Sequence, residues 1–283
     1  MSDPDIEGFA DHIFHILKTY EHPFVLVGLL AHRWMGCAGI PEEGFDMVIR
    51  AHQLPAIVVD LVKTGRWALV DADLERGRAA YQYVHGGLSN EAHVAERWFE
   101  HCCDADTVLR RVGSTRIPFE YLLLWSDETY KINIDTCPFV EVPELFSYTH
   151  FLVEEEQHPA YLQDNVSFWN PRLLSRAEED GYRVIFENLP PTRGPSISSP
   201  ILIPSIPAFL DALVYHTTRY KSSKPQLQAL SECLIYNLTR YMYLEIPPQS
   251  NTILFQVEAE TERYLEAHFA RYKRKPRFRY DQW

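Results

Sequence analysis

Phosphate and metal chemistry become available together where a glycine ends an apolar strand and an acid stands on the strand that follows. Pro23-Phe-Val-Leu-Val-Gly28 is such a run, and Phe45-Asp-Met-Val-Ile-Arg50 sets Asp46 on the next one. A glycine at the strand end lets backbone N–H groups of the following helix approach an anion, and a carboxylate on the neighbouring strand can hold a cation against it. Asp135 is the second candidate acid, at the end of Tyr130-Lys-Ile-Asn-Ile-Asp135. Strand alternation there puts Lys131, Asn133 and Asp135 on one face and Tyr130, Ile132 and Ile134 on the other. Structural roles stand beside these. Asp46 can cap a turn or pair with Arg33 or Arg50, Gly28 can be a plain strand-to-helix turn, and Asp135, ahead of Thr-Cys-Pro, is a good turn residue.

The elements that would position these residues follow from periodicity. Ile6, Phe9, Ala10, Ile13, Phe14, Leu17 and Tyr20 recur at helical spacing and predict a helix over 4–20. Strand, helix and strand then alternate through Leu54–Lys63, ended by Gly65, and Trp67–Val70, with a capped helix at 89–102. From 116 the pattern turns to β-branched and aromatic residues. Stretches 116–125, 130–135 and 139–142 predict an antiparallel addition to the same sheet. Prolines and charges over 157–200 show no period and predict a connection or lid, while 207–220, 226–244 and 250–272 read as helices, the last capped at Ser250 or Asn251. The expected architecture is a mixed α/β (α+β) domain over 1–156, the connection over 157–200, a helical subdomain over 201–270 and a basic aromatic tail over 271–283.

Composition narrows the setting. The 283 residues are 46% hydrophobic and 13% aromatic, enough for a packed core. No basic, apolar leader opens the chain and no stretch reaches the roughly 20 apolar residues of a membrane span, so a soluble, cytoplasmic protein without a membrane partner is expected. The cysteines (Cys37, Cys102, Cys103, Cys137, Cys233) are odd in number and form no C-x-x-C pair, which argues against a disulfide framework or zinc knuckle. The net charge of −12 conceals a run of six basic residues from Arg271 to Tyr280, whose removal leaves −18. With Tyr272, Phe278, Tyr280 and Trp283 the tail has the composition to grip RNA such as tRNA, or to dock on the chain's own acidic body; DNA is not expected as a partner.

Taken together, these residues resemble the nucleotidyltransferase superfamily, the polymerase-beta-type fold. There a strand ends in Gly-Gly or Gly-Ser, a helix follows, and the next strand carries Asp-x-Asp, with a third acid on an adjacent strand. Val27-Gly-Leu-Leu-Ala-His-Arg-Trp34 matches the first part and Gly44-Phe-Asp-Met-Val-Ile-Arg50 the second. The chain is similar over nearly its whole length to uncharacterised fungal proteins of this fold, through Leu124-Trp-Ser-Asp-Glu-Thr-Tyr130, Ile203–Leu213 and the Lys273-Arg-Lys-Pro ending. The resemblance implies a transferase-like protein that binds a nucleotide or nucleotide-bearing substrate, of use in a specialised biosynthetic pathway. Asp46 and Asp135 would hold Mg²⁺ and serve as catalytic acids, while Gly28, Leu29, Arg33 and Lys131 would contact phosphate or substrate. The motif departs from the family pattern at two places: Gly44 stands where the first acid of Asp-x-Asp belongs, with Glu42 and Glu43 just outside it, and Leu29 replaces a small or hydroxyl residue. A silent binding module is therefore a second expectation, since two-metal transfer needs several carboxylates. A third comes from Asp71-Ala-Asp-Leu-Glu75, which resembles the Asp-Asp-x-x-Glu motif of arginine-containing cyclodipeptide synthases; Asp71, Asp73 and Glu75 would then bind an arginyl side chain delivered on tRNA.

Overall fold

The computed structural model describes residues 8, 10–35, 44–70, 104–113, 121–142, 194, 196–245 and 256–273. Seven helices and seven strands are found among them, in the order α1 (Asp11–Thr19), β1 (Phe24–Val25), α2 (Gly28–Trp34), β2 (Gly44–Ile49), α3 (Leu54–Lys63), β3 (Trp67–Leu69) and β4 (Thr107–Arg111). There follow β5 (Tyr121–Ser126), α4 (Asp127–Tyr130), β6 (Phe139–Val142), β7 (Ile201–Pro204), α5 (Ile206–Arg219), α6 (Pro225–Glu245) and α7 (Ala259–Lys273).

Two mixed sheets replace the single sheet expected from the sequence. One has the order β1-β7-β6 and the other β2-β5-β4-β3. They meet at one isolated bridge, Leu26 opposite Met47. Within the larger sheet, every residue of β5 is buried. A strand covered on both faces reads as a continuous apolar run, and Tyr121-Leu-Leu-Leu-Trp-Ser126 is one. It runs parallel to β2 and antiparallel to β4, so the purely antiparallel addition expected here is corrected.

The smaller sheet depends on a strand that periodicity missed. β7 pairs parallel with β1 and antiparallel with β6. Four residues, Ile-Leu-Ile-Pro, are too short to show a period, and the expected helical subdomain began at the same residue, 201. Pro204 has no N–H to give a ladder and accordingly sits at the strand's end, where Ser205 N donates to Pro138 O at 2.8 Å. β4 was missed likewise.

The expected strand over Tyr130–Asp135 is a helical turn followed by tight turns. Ser126 is the N-cap of α4, its Oγ accepting from Thr129 N at 3.1 Å, and Asp127 and Glu128 occupy the first turn. Such a cap with acids behind it favours a helix start over strand continuation. Asn133 Oδ1 then accepts from Asp135 N at 2.9 Å and Thr136 N at 3.0 Å, which folds the chain back on itself. The alternation survives without the strand: Tyr130, Ile132 and Ile134 are buried while Lys131, Asn133 and Asp135 are exposed. Ser126→Ala should lower stability by about 1 kcal/mol, read as a shift in urea midpoint at unchanged slope.

The helix expected over 250–272 starts later, because residues 256–258 are not α-helical and α7 begins at Ala259. Asp211 of α5 accepts from Glu258 N at 2.9 Å, just ahead of that start. One apolar core runs from Phe14, Leu17 and Phe24 through Leu122 and Trp125 to Phe209, Leu213, Leu234 and Leu265, joining both sheets to the C-terminal helices. No helix among the described residues is long and apolar enough to cross a membrane. The helix expected at 89–102, Glu42, Glu43, the alternative site Asp71, Asp73 and Glu75, and the tail beyond Lys273 lie outside the described residues, as does the side chain of Arg33.

Candidate functional site

β1 gives way to α2 through two extended residues and a glycine, and this is where Asp46 arrives. Leu26 N donates to Leu202 O at 2.8 Å and Val27 N to Asp46 O at 2.9 Å, which draws β2 against the end of β1. Gly28 then turns the chain with φ of +63°. Two independent constraints exclude a side chain there. Left-handed backbone is costly for any residue with a Cβ. A Cβ would also lie 2.5 Å from Asp46 Oδ2 and 2.8 Å from its Cγ.

The other side of Asp46 is closed by aromatic residues from the segment 124–130. Trp125 Nε1 donates to Asp46 Oδ1 at 2.7 Å. Gly28 N donates to the Tyr130 hydroxyl at 3.0 Å. Trp125 and Tyr130 meet edge-on with centroids 5.6 Å apart, and Tyr130 meets His216 of α5 in the same manner at 4.9 Å. His216 Nε2 lies 2.9 Å from Tyr130 O, an acceptor only, so Nε2 carries the proton; Nδ1 lies 2.9 Å from Ser231 Oγ of α6 and accepts from it in the neutral ring. Alternating hydrogen bonds and ring contacts thus link Asp46 through Trp125, Tyr130 and His216 to the C-terminal helices.

Burial governs the electrostatics. Asp46 is 5% exposed, and burial pushes its carboxyl up from 3.8 to about 7, the Trp125 hydrogen bond opposing part of the rise. The side chain of Asp135, by contrast, is 66% exposed and pairs with Arg50, whose Nη2 and Nε reach its Oδ1 at 2.7 and 3.1 Å. That hydrogen bond holds the Asp135 carboxyl below its usual range. Arg50 is itself fixed: its Nη1 donates to Glu21 O and Gln53 Oε1, both at 3.3 Å, and its backbone N donates to His22 Nε2 at 3.0 Å.

Asp46 and Asp135, expected to share an ion, stand in different settings: the first is buried against Trp125 and Gly28, the second is exposed and held by Arg50. Asp135 is tied to Arg50, which stands four residues beyond Asp46, or roughly 13 Å along the chain at strand spacing. Among the described residues no group of three or more His, Cys, Asp and Glu side chains could hold a metal ion. The donors among the described residues do not by themselves make up a two-Mg²⁺ centre, which requires several carboxylates converging on ions a few ångströms apart. The phosphate positions fare similarly. The Gly28 N–H is engaged by Tyr130, Leu29 packs against the core, and Lys131, left-handed at φ 62°, places its ammonium 5.2 Å from the ring centre of Tyr215.

Sequence reasoning did not single out Trp125, Tyr130 or His216 as site residues. The available signal was the motif Leu124-Trp-Ser-Asp-Glu-Thr-Tyr130, which supplies both aromatic partners of the Gly28–Asp46 junction. No family model, curated protein or solved structure matches the chain.

Proposed function

We propose that this chain is a nucleotidyltransferase-like protein that binds a nucleotide or nucleotide-bearing partner without carrying out two-metal transfer. Nucleotide binding rests on the resemblance of the strand-glycine-helix-strand segment to that family, and the absence of two-metal transfer rests on the closure of the Gly28–Asp46 junction. The positions that would present phosphate and metal ligands in an active relative are turned on one another: carboxylate to Trp125, backbone N–H to Tyr130, and glycine Cα against carboxylate. A carboxyl held near neutrality by burial is also a poor cation ligand, because binding must first remove its proton.

Calorimetric titration with ATP, CTP, GTP and UTP, each with and without Mg²⁺, tests the reading. Heat is expected for at least one nucleotide, of similar size with and without the ion, and no pyrophosphate should be released from any of them. Flat traces for all four would remove the nucleotide. Mg²⁺-dependent pyrophosphate release would show that the transfer chemistry is intact.

A further inference from the structure

A second polar cluster lies on the outer strand pair of the larger sheet, away from Asp46. β3 and β4 place Trp67 directly opposite Arg111, Val112 N donates to Arg66 O at 2.9 Å, and the Arg66 charge acts on the Arg111 guanidinium. α1 lays His12 over them, its ring stacked on Trp67 with centroids 5.9 Å apart.

Trp67 Nε1 can only donate, and it lies 2.6 Å from His12 Nε2. Nε2 is therefore the acceptor, and the ring's proton is on Nδ1. That N–H faces Arg66 Nη1 at 3.5 Å, donor against donor. Arg111 adds a third donor. Its half-buried guanidinium leans over Trp67, the carbon 6.0 Å from the ring centre, and its buried Nη1 has no hydrogen-bond partner among the described residues. Burial, and after it the positive charges of Arg66 and Arg111, push the His12 pKa down to about 3.

We propose that His12 Nδ1–H, Arg111 and Arg66 form a binding site for a compact oxyanion with the chemistry of a phosphate group. Arg111 and His12 carry the site; Arg66, which has other interactions as well, adds its field. An anion between them would accept from His12 Nδ1–H and from Arg111 Nη1, which has no hydrogen-bond partner among the described residues. Charge-assisted hydrogen bonds of this kind gain strength where water is excluded. The site lies three strands from β2 and does not rest on the reading of Asp46.

The test is titration of the full chain with inorganic phosphate and, in parallel, with glycerol 3-phosphate, followed by calorimetry. Saturable binding of either is expected, with the tighter of the two distinguishing a free ion from a phosphate carried on a small molecule. Arg111→Gln should weaken it about tenfold or more, and Arg219→Gln, which alters a cation on α5, should leave it unchanged. Long-range proton–nitrogen correlation on the wild type should show His12 protonated at Nδ1 and its signal moving with phosphate, a readout that holds even if Arg111→Gln folds poorly. Absence of saturable binding to both compounds, binding indifferent to Arg111→Gln, or a His12 proton on Nε2 would each overturn the proposal.

Discussion

Replacing Gly28 with alanine is expected to destabilise the protein by about 3 kcal/mol, enough to lower the urea midpoint sharply. Two costs combine. Holding a residue with a Cβ in left-handed backbone costs about 1–2 kcal/mol, and forcing a methyl into a filled space costs about 1–3 kcal/mol more. The contact at issue is 2.5 Å to Asp46 Oδ2, below any real approach of a Cβ. The carboxylate can retreat only by loosening its bond to Trp125. Relief should therefore come from the far side of the contact: in the Asp46→Ala background, Gly28→Ala should cost at least about 1 kcal/mol less, the coupling expected of residues in direct contact. Equal cost in both backgrounds would leave backbone strain as the whole effect and remove the interlocked junction.

The second large effect is in pH. A carboxyl with its pKa raised on folding is favoured protonated in the native state. Its stabilising contribution is complete below the unfolded value of 3.8 and is lost as pH rises through about 7. A change of that size corresponds to about 4 kcal/mol between acidic and mildly alkaline solution. Asp46→Asn removes the titration and keeps an oxygen for Trp125. The gap by which the variant exceeds wild type in stability should be absent below about pH 3.8, widen steadily up to about pH 7 and reach a few kcal/mol at pH 8, measured by urea unfolding across the range. A wild type whose difference from Asp46→Asn does not change with pH would contradict a carboxyl of this kind. In a metal site the same substitution would abolish function; here it should leave nucleotide binding in place.

What the sequence disclosed and what it withheld separate along physical lines. The path from apolar run to Gly28 to helix to Asp46 was legible because each step is local: continuous apolarity for a buried strand, glycine for the turn, an acid out of place on an apolar strand. The expected alternation of Tyr130, Ile132 and Ile134 against Lys131, Asn133 and Asp135 also appears in the burial, although Ser126 and Asn133 turned the backbone away from a strand. Partnerships between distant positions were not legible. Nothing in the neighbourhood of Trp125 indicates that its indole will meet a carboxylate 79 residues earlier, nor that Asp135 will answer Arg50 across 85. β7 was hidden for a related reason, since four apolar residues acquire their identity as a strand from β1 and β6 and not from their own pattern.

That the Asp46 carboxyl is sealed into a structural junction can be measured directly by following its side-chain carbon-13 resonance through a pH titration, with and without millimolar Mg²⁺. The account predicts a midpoint near neutrality that the ion does not move. A midpoint at the ordinary carboxylate value, or one that Mg²⁺ drives downward, would mean that Asp46 faces solvent and metal.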